Sequence, residues 1–189
     1  LLPAAARLGF RPSDRAGRVR LLALCWIGFI LVFFSFSTTQ EYYSMPCYPA
    51  FALLIGAAAA AGGTWVRAGL KAASGIAFLA AAATAALWFL VRNHAAPGDI
   101  SATLSQNPDV YTLSLGHMFD LTLTSFAYLR APLLLASAAF LVGAVGAWRM
   151  EGTRALASLA VMMVLFSYAA RQALVAFDPY LSSRPLADV

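Results

Sequence analysis

The sequence predicts an all-α, polytopic membrane helix bundle, and three observations carry that expectation. Of its 189 residues, 61% are hydrophobic and only 11% charged, whereas soluble domains average roughly 45–50% and 25%. The apolar residues gather into five runs, each near the roughly 20 residues that a helix needs to cross a hydrocarbon core of about 30 Å. Most of the basic residues lie between those runs. Lipid offers backbone N–H and C=O groups no partners, so runs of this kind must satisfy their own hydrogen bonds as helices.

The first span runs from about Val19 to Phe36, the second from Pro46 to Gly63 and the third from Ala72 to Val91. The fourth runs from Ala131 to Trp148 and the fifth from Leu156 to Phe177, with Arg171 toward the end of the last. Pro46 suits the start of the second helix, where a missing N–H costs nothing and a fixed φ helps. The second and fourth spans contain "GAAAAAGG" from Gly56 and "ASAAFLVGAVGAW" from Ala136. Small residues let helices approach closely in lipid, so these stretches are expected to be packing faces. A pore or cofactor channel would place polar residues mid-span, and these helices have almost none.

Charge then sets the orientation. Arg7, Arg11, Arg15, Arg18, Arg20, Arg67, Lys71, Arg149 and Arg154 fall on one side of an alternating bundle. The other side receives Arg92, Arg130, Arg171 and Arg184 together with Glu41, Asp99, Asp109, Asp120, Asp178 and Asp188. Basic residues near helix ends favour the cytoplasm. The N-terminal arm is therefore expected inside, with loop 37–45, segment 92–130 and the C-terminal tail outside. The net charge of +5 follows from this topology, and without a basic stripe interleaved with aromatics it does not indicate nucleic acid.

Segment 92–130 is long for a structureless connection. Its first part, with Pro97, Gly98 and Pro108, reads as loop. Its second part, "LSLGHMFDLTLTSFAYL", matches helical and alternating templates each in part, so periodicity alone does not decide. An interfacial amphipathic helix suits its length and aromatics best.

The chain opens Leu1-Leu2-Pro3, without an initiator Met or the order of features that marks a signal peptide. It is accordingly expected to be one transmembrane region, residues 1–189, of a longer protein cut at both ends. Cys25 and Cys47 are expected at different depths, too far apart for a disulfide, and both are read as buried apolar residues. Glycine-rich phosphate loops, HExxH, CxxC and nucleophile elbows are absent from the sequence. His94 and His117 lack the neighbours typical of metal ligands, so no metal or cofactor site is expected and any need for a divalent cation is open.

One stretch stands out. Ser37, Thr38, Thr39, Gln40 and Glu41 set hydroxyl, amide and carboxylate groups beside Tyr42 and Tyr43, in a short turn between two spans. Tyr42, Tyr43 and Tyr48 would by themselves make an aromatic interface belt. A belt does not need the polar cluster, which suits a substrate-facing loop where a lipid-linked sugar meets an acceptor.

The run "LVFFSFSTTQEYYSMPCYPAFALLIG", Leu31 to Gly56, resembles a segment of bacterial integral-membrane glycosyltransferases of the C-type fold, the superfamily of aminoarabinose lipid A transferase and protein O-mannosyltransferase. There a helix ending in Phe-Phe-Ser leads through a short outer loop with a Tyr to Leu-Pro and an Ala- and Leu-rich helix. Phe33, Phe34, Ser35, Tyr43, Met45 and Pro46 are the corresponding residues. The likeness is specific over about 25 residues and loose elsewhere.

The resemblance implies a glycosyltransferase of the bacterial inner membrane, moving a sugar from a polyprenyl-phosphate donor to a lipid, glycan or protein acceptor on the periplasmic side. It implies Tyr43 near the carrier phosphate, with Tyr42, Glu41, Gln40 and Ser37 as further substrate-binding residues among membrane lipids. The family's catalytic carboxylates belong to an earlier outer loop, so no catalytic residue is expected in this chain. Gln40 and Glu41 replace the Leu and Pro of the aminoarabinose branch, and that branch's loop lysines are missing, which argues against an aminoarabinose donor. The alternatives are a transporter or flippase, which would show broken helices or mid-membrane ionisable groups, and a scaffold subunit without chemistry.

Overall fold

A computed structural model describes residues 2–36, 41–96, 98, 100 and 122–181. These residues are helical or in turns, bends and short irregular links, with no strand among them. Five helices are long and apolar enough to cross a membrane, as the composition predicts. The chain divides into two units, Leu1–Ala72 with Glu151–Thr153, and Ala73–Met150 with Arg154–Val189.

The first unit begins with α1, Leu2–Ala5, which leans on α3, Tyr48–Ala61. Between them runs α2, Arg15–Ser35, whose 21 residues at about 1.5 Å each span roughly 30 Å. Asp14 caps α2, its carboxylate accepting the Gly17 N–H at 2.9 Å, which satisfies one of the first turn's orphan donors. Gly17 has to be glycine, because a Cβ there would collide with the Arg11 carbonyl oxygen and the Asp14 side chain. The Arg7 guanidinium lies 4.4 Å from the ring centre of Trp65.

The buried residues of α2, Gly17, Ala23 and Ile27, and those of α3, Ala50, Leu54 and Ala58, form a narrow stripe on each helix. On α3 the spacing of four keeps them on one face. The two helices run antiparallel. A groove of about 540 Å³ has Arg15, Val19 and Arg20 of early α2 opposite Leu53, Ala57 and Ala60 of later α3, and at its other end α2 meets the 3₁₀ segment Glu41–Cys47 that leads into α3. Helix α3 stops at Gly62 and Gly63, whose φ of 69° and 103° are values that side chains with a Cβ rarely adopt. The chain then starts again as α4, Thr64–Val91.

The second unit holds α4 from Ala73 onward, the short α5, Leu123–Ala127, then α6, Arg130–Arg149, and α7, Gly152–Leu181 from Arg154 onward. Two serines tie α4 to α6. Ser74 Oγ donates to the Ala144 carbonyl at 2.6 Å and Ser137 Oγ to the Ala81 carbonyl at 3.2 Å. The order of these pairs shows the helices antiparallel. Arg130 Nε donates to the Val91 carbonyl at 3.0 Å, bringing a cation to the negative end of α4, where it is favoured.

Helices α6 and α7 are antiparallel as well. Phe140 meets Phe166 with ring centres 5.0 Å apart. A Cβ on Gly143 would collide with Met162, and one on Gly146 with Ser158. Ala136, Ala139, Gly143, Ala144, Gly146 and Ala147 are buried, so the small residues of α6 are a packing face, as the sequence suggests. In lipid this close approach substitutes dispersion contacts for the hydrophobic drive available in water.

The structure changes several expected details. Helix α4 begins at Thr64 and not near Ala72, and α7 at Gly152 and not near Leu156. Hydropathy marks where hydrocarbon begins, whereas the backbone ladder continues through Arg67, Lys71 and Arg154 until a glycine ends it. Pro46 does not start α3. It sits inside the 3₁₀ segment, and Pro49 occupies the first turn of α3. Cys25 is exposed while Cys47 is buried, and both are free. Cys25 is exposed because it lies between the buried Ala23 and Ile27, on the side of α2 that α3 does not cover. Of the segment expected to form an interfacial helix, residues 113–121 lie outside the described residues. Its described end forms α5, capped by the Thr122 hydroxyl, which accepts the Ser125 N–H at 3.3 Å.

Candidate functional site

The site suggested by the sequence lies where α2 ends and the 3₁₀ segment Glu41–Cys47 begins. Helix α2 finishes with Phe33, Phe34 and Ser35. The Ser35 hydroxyl turns back to donate to the Val32 carbonyl at 2.7 Å, meeting one acceptor that the helix end leaves open. Phe29 and Phe33 are one turn apart, with ring centres 6.0 Å apart, and Phe33 meets Phe34 edge-on at 5.2 Å. Tyr43 then lies on Phe34, their rings 21° from parallel with centres 4.5 Å apart.

Stacked rings of this kind contribute roughly 0.5–1.5 kcal/mol beyond area burial, which helps to seat the short 3₁₀ segment against the end of α2. Cys47 at the end of the segment is fully buried, while Ser44, Met45 and Pro46 are exposed. The segment is thus pinned at Tyr43 and Cys47, with the residues between them presented outward.

Among the residues expected to bind substrate, the structure defines Tyr43 fully. It is half-buried on the Phe34 ring. Glu41 and Tyr42 are in the first turn of the 3₁₀ segment, and their side chains lie outside the described residues, as do Ser37 and Gln40 altogether. Phe34, which the sequence marks only as part of the Phe-Phe-Ser helix end, is the ring that receives Tyr43. Two adjacent phenylalanines at a helix end signal a platform as readily as an anchor, and only the fold shows which ring receives Tyr43.

Beside this corner, Gly28, Phe29, Val32, Phe33 and Phe36 line an apolar groove of about 590 Å³ along α2. From Arg20 to Arg67 the sequence has no basic residue between them. An anion at this corner would therefore need its counter-charge from elsewhere. Among the described residues, no three His, Cys, Asp or Glu side chains gather as a metal site would require. The chain matches no known family model, no curated protein and no solved structure.

Proposed function

We propose that this chain is the membrane-helix region of a glycosyltransferase that takes a sugar from a polyprenyl-phosphate carrier and passes it to a lipid, glycan or protein acceptor. The observation that carries the reading is the Tyr43–Phe34 stack. It holds a short segment rich in polar side chains at the end of an apolar helix, beside an apolar groove, within the stretch that resembles C-type-fold transferases. An isoprenoid chain suits a groove lined by Phe29, Val32, Phe33 and Phe36, and a sugar suits the aromatic and hydroxyl groups above it.

In this reading the carrier phosphate meets the Tyr43 hydroxyl, and Gln40, Ser37 and Tyr42 contact the sugar. Glu41 faces sugar or acceptor, since a carboxylate beside a phosphate is disfavoured by charge. Displacement at the anomeric carbon needs a general base, and none of the residues here is assigned that task. The basic residues at the other helix ends support a cytoplasmic N-terminal arm, which in this reading puts the corner at the periplasmic face of the inner membrane.

The test is sugar transfer by the full-length protein in membranes, using polyprenyl-phosphate donors that carry a labelled hexose or pentose. Tyr43→Ala is expected to lower transfer at least tenfold, and Tyr43→Phe to separate loss of the hydroxyl from loss of the stack. Unchanged transfer by Tyr43→Ala at normal membrane levels would reject the site. Movement of a labelled solute across reconstituted vesicles, with no sugar transferred, would make the protein a transporter.

A further inference from the structure

A second groove, of about 550 Å³, lies between α4 and α6 near the basic end of the bundle and is lined by Ser74, Gly75, Phe78, Leu79, Val145 and Trp148 among others, with Arg149 at its end. We infer that it is a binding groove for an anionic glycerophospholipid, with an acyl chain lying along α4 and α6 and the phosphate on Arg149.

Four features carry this. Phe78, Leu79 and Trp148 are 59%, 71% and 62% exposed. On helices long and apolar enough to cross a membrane, side chains so exposed meet acyl chains, and a groove between them fills with one. Its floor offers no competing polar group, because the one hydroxyl there, Ser74 Oγ, is committed to the Ala144 carbonyl. Trp148 closes the end of the span, at the depth where indole rings favour the headgroup region. Arg149 is the last residue of α6 and is exposed.

Charge decides between lipid classes. The C-terminus of α6 carries about half a negative charge, which the full positive charge of Arg149 exceeds. In the link that follows, Glu151 stands between Arg149 and Arg154, so the region stays net positive. Basic pockets between membrane helices are a recognised form of anionic-lipid site. The inference needs only that the helices span a bilayer and does not depend on sugar transfer.

Gly75 supplies a clean probe, since a Cβ there would meet nothing within 4 Å. A leucine at this position fills the groove without disturbing the α4–α6 contact. The experiment is native mass spectrometry of the detergent-purified protein, titrated separately with phosphatidylglycerol and phosphatidylcholine. The first phosphatidylglycerol is expected to bind about fivefold more tightly than phosphatidylcholine, the effect of one basic residue at a membrane surface. Arg149→Gln is expected to remove that preference, and Gly75→Leu to weaken both lipids. Equal binding of the two lipids by the wild-type protein overturns the inference, and so does a Gly75→Leu variant that holds both lipids as tightly as the wild type.

Discussion

The α4–α6–α7 seam and the aromatic corner at the end of α2 solve the same problem, holding helices together without much hydrophobic drive, by opposite means. The seam uses the smallest side chains. Gly143 and Gly146 let Met162 and Ser158 approach the α6 backbone, and two serines bond across to carbonyls of the facing helix. The corner uses large rings, with Phe29, Phe33, Phe34 and Tyr43 meeting in succession. Close contact of backbones leaves no space within the contact itself, so the α4–α6 groove lies at its edge, whereas a ring stack fixes a segment through one face and leaves its neighbours outward. The difference explains how the seam holds helices against each other while the corner presents a segment outward.

Substitutions can break each half of that comparison. The largest effect is expected from Gly146→Leu, which forces a branched side chain into the space of Ser158. Overpacking of this kind costs about 1–3 kcal/mol or more where the backbone must move, read as a lowered unfolding midpoint in detergent. Gly56→Leu is the control. A Cβ at Gly56 meets nothing within 4 Å, so its midpoint is expected to stay within about 0.5 kcal/mol of wild type. If both glycines respond alike, the seam is not held by close approach.

A smaller and more local effect is expected from Tyr43→Ala. Losing the stack costs about 1 kcal/mol, and it appears as faster amide exchange in residues 41–47 with the global midpoint little changed. Tyr43→Phe keeps the ring stack and is expected to exchange more slowly than Tyr43→Ala. A global loss of stability on Tyr43→Ala would mean that the corner is a packing element like the seam.

The smallest effect sharpens the account of the seam itself. Interhelical hydrogen bonds in membranes average about 0.6 kcal/mol, so Ser74→Ala is expected to cost roughly that much in the unfolding midpoint. Ser137→Ala is expected to cost less, since its bond is 3.2 Å against 2.6 Å for Ser74. Costs of several kcal/mol for either serine would shift the seam's stability from packing to polar bonding.

Much of this arrangement was legible beforehand, for an identifiable reason. A bilayer restricts the chain to helices of a set apolar length, so composition alone predicts five spans, and the Gly- and Ala-rich stretch of α6 announces its packing role, whereas in the corresponding stretch of α3 only Ala58 is buried. Hydropathy could not see the ends, because Arg67 and Lys71 belong to α4 as firmly as its apolar residues do, and the true break is the positive φ of Gly62 and Gly63. Nor could it tell Pro46 from Pro49, since both precede an apolar run and only the 3₁₀ geometry separates them.

The candidate site divides in the same way. Its residue types and their place at a span's end were readable, because polar groups crowded between two apolar runs are conspicuous. What only the tertiary structure decided is pairing: Tyr43 on Phe34, Ser74 on Ala144, Gly143 beneath Met162, Cys25 exposed and Cys47 sealed. The sequence by itself determined how many apolar spans there are and that the small-residue stretch of α6 can lie close to its neighbours, since the solvent imposes both. Which face of each helix meets which partner depends on rotation and register, and those are settled by contacts between residues far apart in the chain.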